Sequence, residues 1–123
     1  PPWNRCAAET PHVLSGLGYA ALSRSRGATA QQVLPELPVD LDWCKQHRAG
    51  GPEAIVHAWS RDLAARIDDG LPFGLMLHHA AMEAAEFDLL RSWLLELAHH
   101  PRLRWRSMRS LLAEQRVRTC ATA

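Results

Sequence analysis

The stretch Gly74-Leu75-Met76-Leu77-His78-His79 decides how this chain is read. It is an apolar run with strand character that stops at two adjacent imidazoles, and a strongly amphipathic segment follows. On this reading His78 and His79 stand at the carboxyl end of a strand, just before a helix. In layered α/β folds that edge is where ligands bind and chemistry is done. A strand with core duties alone has no need to end this way. The plainer alternative is that the two histidines mark a turn between strand and helix and have no other task.

The segment after the histidines carries Phe87, Leu90, Trp93, Leu94 and Leu97 at 3-4-3 spacing, with Glu83, Glu86, Asp88, Arg91 and Glu96 largely off that stripe. This is a helix with one apolar face, and its early acidic residues suit the positive end of the macrodipole. His99-His100-Pro101 ends it. Upstream, Ile55, Trp59, Leu63 and Ile67 recur every four residues with Val56 alongside, a second helix starting near Glu53. Gly50-Gly51-Pro52 breaks the chain before it, after a polar stretch 44–52, and Asp68-Asp69-Gly70 closes it. Trp59 and Trp93 are read as core residues on these faces.

Leu37 to Trp43 reads as a strand with Asp40 and Asp42 near its end, and Pro72 to His78 as the next. Thr10-Pro11 starts a helix that runs to about Leu17, with Gly18 as its stop. Tyr19 to Ser23 reads as a short strand, 24–34 as a loop, Leu103 to Met108 as a last short strand and Ser110 to Arg116 as a last helix. Strands alternating with helices predict an α/β fold, a parallel sheet with helices outside it.

With 123 residues, 47% of them hydrophobic, the chain is long enough for one domain or part of one. The formal charge is +1, and arginines are scattered rather than interleaved with aromatics, so nucleic acid is not an expected partner. The local basic run Arg102, Arg104, Arg106 and Arg109 is explained by a solvated face. No apolar run approaches the ~20 residues that span a bilayer. No signal peptide is visible, so the cytoplasm is the expected compartment for the sequence as it stands. The three cysteines, Cys6, Cys44 and Cys120, have neither a paired nor a zinc-ligand spacing and are read as free thiols. A nucleophilic role for Cys6 or Cys44 would need a base beside it.

Three clusters fall at the ends of successive expected strands: Trp3-Asn4-Arg5, Asp40-Leu41-Asp42-Trp43, and His78-His79. In a parallel sheet all carboxyl ends lie along one edge, so the three would converge on one mouth. An Asp beside a His holds the imidazole in one tautomer and favours its charged form. An imidazole so poised can protonate a leaving group. Trp3 and Trp43 would offer flat apolar walls, which suit sugar rings.

In this order along the chain, the constellation resembles the polysaccharide deacetylase family, also called the NodB-homology domain. Pro1-Pro2-Trp3 looks like the family's third motif, an Arg-x-Pro-aromatic loop whose Arg would precede the first residue here. Pro1-Pro2-Trp3-Asn4-Arg5 and Gly18-Tyr19-x-x-Leu22-Ser23 are similar to one branch of the family. Asp40-Leu41-Asp42-Trp43 looks like the fourth motif, Asp-x-x-Asp-Trp, one residue short, with Asp42-Trp43 the closer part. Leu75-Met76-Leu77-His78-His79 looks like the fifth, Leu-x-His.

The resemblance implies that His78 is the general acid, protonating the leaving amine or alkoxide as an acetyl group is removed, and that Asp42 orients and charge-balances it. It implies that Met76 and Trp43 line the acetyl pocket. Trp3, Asn4, Arg5 and His79 complete the substrate-binding set, with pairing to a carboxylate of the fold as the alternative task for Arg5. The family's first two motifs, which supply a catalytic Asp and an Asp-His-His metal set, lie upstream of the third and have no counterpart here. His78 and His79 are adjacent and make a poor chelating pair. The expectation is therefore a partial (β/α) barrel truncated at its N-terminus, with 1–123 as the C-terminal portion of a deacetylase-like domain. A divalent metal such as zinc would belong to the full-length enzyme and none to this chain, which alone could not activate the attacking water.

The function this predicts is part of a metal-dependent hydrolase that removes N- or O-acetyl groups from an acetylated polysaccharide or oligosaccharide. The alternative is a catalytically incomplete carbohydrate-binding or interaction module. A third option is a structural α/β module whose histidines only shape a turn. Half of a closed parallel sheet would also expose strand edges and an apolar strip, so self-association is expected.

Overall fold

A computed structural model describes residues 6–121, with side chains through residue 115. The chain divides into two compact units, one formed by the stretches up to Val39 and from Arg106 onward, the other by Asp40–Trp105.

In the first unit, helix α1 spans Thr10–Gly16 with Pro11 in its first turn, where a missing N–H costs nothing. Gly18 then takes φ +79°, the left-handed stop expected of a glycine after a helix. Extended segments follow, tied by two isolated parallel bridges, Leu22 to Glu36 and Ser25 to Val39. Leu22, Leu34 and Leu37 are buried there. Arg24 is buried with them and stays satisfied through its ion pair with Glu36 and a 2.8 Å bond to the Thr29 carbonyl. Helix α4, Met108–Ala121, starts where the Ser107 hydroxyl accepts from the Ser110 N–H at 3.1 Å.

The second unit holds strand β1 (Leu41–Asp42), helix α2 (Trp43–Arg66), strand β2 (Leu75–Met76), a single 3₁₀ turn (His79–Ala81) and helix α3 (Ala84–Ala98). The two strands pair in parallel, Leu41 opposite Leu75 and Asp42 opposite Met76. Helix α2 is two helices joined at a kink, with Gly50 and Gly51 outside helical geometry and Pro52 opening the second part. The core gathers Leu41, Trp43, Cys44, Ile55, Ala58, Trp59 and Leu90, with Trp93, Leu94 and Leu97 packed against it. Trp43 meets Trp59 edge to face, ring centroids 6.1 Å apart, and Trp59 stacks on Trp93 at 5.6 Å. Such pairs add about 0.5–1.5 kcal/mol each beyond the area they bury.

The partial (β/α) barrel expected from the sequence does not form. Among the described residues the chain is mostly helical, and its one sheet is an open pair of two-residue strands. The expected strands are there only as remnants. Pro35 and Pro38 lack the N–H that a ladder needs, so Leu37 donates to the Leu22 carbonyl and Val39 bonds with Arg24 and Arg26, in isolated bridges rather than in an extension of β1. Among the described residues Leu103 to Ser107 finds no strand partner, and α4 starts at Met108 where the last strand was expected to end. Tyr19 to Ser23 contributes one bridge residue rather than a strand. The helix expected to start near Glu53 has a first part before the break, since the polar stretch ahead of Gly50 forms the first turns of α2.

Candidate functional site

Asp42 is both the last residue of β1 and the cap of α2. Its backbone is extended, and Oδ1 accepts from the Lys45 N–H at 3.0 Å, which satisfies one of the free donors of the helix start. Across the sheet β2 ends at Met76, and His78 follows where the chain leaves the strand for the 3₁₀ turn. The two side chains meet: His78 Nε2 lies 3.5 Å from Asp42 Oδ1, an ion-pair distance longer than a close hydrogen bond. The His78 side chain is 47% exposed and that of Asp42 26%. The imidazole thus has a carboxylate on one nitrogen and open solvent around much of its ring.

The parallel register makes this meeting possible. Because Asp42 faces Met76 across the ladder, the residues just beyond both strands leave the sheet at the same edge. Met76 is half-buried, and His79 is exposed in the first position of the 3₁₀ turn.

Trp43 is placed differently. It is fully buried, 0% exposed, and its indole Nε1–H donates to Glu86 Oε1 at 2.9 Å. Its faces pack in the core and offer no open wall to a sugar. Asp40 serves the fold: Oδ2 accepts from the Gly74 N–H at 2.8 Å, and its other oxygen pairs with Arg66, whose guanidinium also reaches Asp69 and lies over the Phe73 ring. Trp3, Asn4 and Arg5 lie outside the described residues.

Sequence reasoning passed over Glu86 as a site residue, a buried carboxylate close to this pair. At 5% exposure it spends both oxygens. Oε2 accepts from the Glu83 N–H at 2.8 Å in a reciprocal capping box at the start of α3. Oε1 takes the Trp43 N–H and also lies 3.5 Å from His47 Nδ1. The Glu83 N–H holds the Glu86 carboxyl below the usual glutamate range; burial works against this, while Trp43 and His47 support it. The Glu83-x-x-Glu86 spacing ahead of an apolar stripe was the available signal for the cap. Nothing in the sequence announced the indole.

Among the described residues no group of three or more His, Cys, Asp or Glu is arranged to hold a metal ion. The described residues therefore do not fit the divalent metal that the resemblance implies for a full-length enzyme. No described helix is long and apolar enough to cross a membrane. Compared with protein-family models, with curated proteins and with solved structures, the chain matches none.

Proposed function

We propose that Asp42 and His78 form the acid half of a hydrolytic site that releases acetyl groups from a polysaccharide or oligosaccharide. The observation that carries this reading is the 3.5 Å approach of His78 Nε2 to Asp42 Oδ1 at the carboxyl edge of two parallel strands. Support comes also from the order of short motifs that resembles the polysaccharide deacetylases. Hydrolysis places a hydroxyl on the acyl carbon and a proton on the leaving nitrogen or oxygen. His78 supplies that proton from Nδ1 as the acyl bond breaks, while Asp42, still ionised, holds the Nε2–H and balances the imidazolium. Met76, beside Asp42 in the ladder, is the apolar neighbour for the acetyl methyl, and His79 lies next to the acid. Trp43 is left out of the pocket because its faces are buried.

The test is acetate release from chitooligosaccharides and acetylated polysaccharides, with and without added divalent metal. It compares this chain with a longer polypeptide that carries the metal-binding half. In whichever form is active, His78→Ala is expected to lower release by about 10²–10⁴-fold. Because the side chain is half-exposed, thermal stability should hold. Unchanged release would remove His78 from the mechanism, and oligosaccharide binding without release from any form would favour a binding module.

A further inference from the structure

We infer that Glu86 is a positioning residue for the Asp42–His78 pair, its single buried carboxylate locking the start of α2 to the start of α3. This rests on the acid-pair reading above. An ion pair as open as Asp42–His78 contributes little cohesion of its own. The strands that bring it together share only two residue pairs, Leu41 with Leu75 and Asp42 with Met76. Asp40 and Gly74 tie the strands where they begin; the carboxyl ends, where Asp42 and His78 stand, lie beyond that tie.

Glu86 is built to hold those ends. Trp43, the residue after Asp42, is immobilised in the core, and its indole N–H ends on Glu86 Oε1 at 2.9 Å. The other oxygen, Oε2, takes the Glu83 N–H at 2.8 Å. From Glu83 the chain runs back through Met82, which packs on the core, and the 3₁₀ turn His79–Ala81 to His78. The circuit is closed: Asp42 to Trp43, Trp43 to Glu86, Glu86 to Glu83, back along the turn to His78, and across 3.5 Å to Asp42. A residue serving only as a helix cap needs one oxygen on its own helix. Glu86 spends its second on a donor from α2, 43 positions earlier in the chain. Glutamine cannot replace it, because it has one acceptor oxygen for two converging N–H donors and would turn an NH₂ group toward one of them.

The test reads the ring resonances of His78 in the whole chain by ¹H–¹³C correlation NMR at one fixed pH. Asp42→Asn, which removes the charge beside the ring, sets the reference displacement. Glu86→Gln, which touches no atom of His78, is expected to move the same resonances in the same direction by a comparable amount. His99 and His100, at the far end of α3, should stay in place. If Glu86→Gln moves only α3 and His47 signals while Asp42→Asn moves His78, Glu86 is a helix cap and the inference falls, but the acid pair stands. If Asp42→Asn itself leaves His78 unmoved, the acid-pair reading fails and takes the inference with it. Trp43→Phe removes the indole donor and leaves the capping box intact. It is expected to displace His78 as well, and it decides the matter should Glu86→Gln not fold.

Discussion

Asp42 carries three tasks at one position: it ends β1, caps α2 and faces His78. These tasks separate by substitution. Asn is as good a cap as Asp but carries no charge. Asp42→Asn should therefore stay within about 0.5 kcal/mol of the parent in urea unfolding, while on the proposed reading acetate release from the active form falls at least about tenfold for want of a partner to the imidazolium. Asp42→Ala loses the cap as well and should cost about 1 kcal/mol of stability. Loss of release in the alanine variant alone would mean that the cap matters and the charge does not. At this scale much was legible. Asp42 and His78 stand out as polar residues ending apolar runs, and a strand end is where side chains of that kind meet. Trp43 was not legible, since a tryptophan after a strand reads equally as an open wall or as a core anchor. Only the packing against Trp59 and the Glu86 bond separates the two.

Among the elements, the helices were the more readable. The apolar stripe of α3 and the four-residue repeat in the second part of α2 are local patterns, and both helices form. Phe87 is the exception on its stripe, largely exposed. The strands were less readable, because a strand exists only where another chain segment supplies its hydrogen bonds. Leu37 to Trp43 has the composition of one long strand, yet Pro38 and its separate partners split it. The kink of α2 follows from the glycines. Gly51 sits at φ +68° and ψ −159°, a conformation open essentially to glycine alone, and Pro52 restarts the helix behind it. Gly51→Ala is expected to cost about 1–3 kcal/mol although the space around its Cβ is open. Chemical denaturation monitored by circular dichroism checks this, and a neutral result would mean that the kink relaxes into a straight helix.

For the molecule as a whole, stability should depend on acid through Glu86. Its folded carboxyl titrates below the ordinary glutamate range, chiefly because the Glu83 N–H favours the ionised form. A depressed pKa adds stability that is complete above the unfolded value and is withdrawn as pH falls through the folded one. The advantage of the parent chain over Glu86→Gln should thus be full near neutral pH and shrink as pH falls through and below the ordinary glutamate range. Urea midpoints of the two proteins across that range measure it. An advantage that grows toward low pH would contradict the assigned direction. The self-association expected from an opened barrel loses its basis with the barrel, because among the described residues the sheet is a short pair of strands.

What the sequence by itself determined are the properties that depend on near neighbours: the apolar helix faces, the Gly50-Gly51-Pro52 break, the stop after α1, and the placing of Asp42 and His78 at the ends of apolar runs. Each is set by spacing within a few turns of chain. The tertiary structure alone decided how many strands find partners, that Trp43 is buried rather than displayed, and that Glu86 joins two helix starts. These depend on which distant segments meet, and hydrogen-bond donors and apolar surface in one segment carry no local record of the partner that satisfies them.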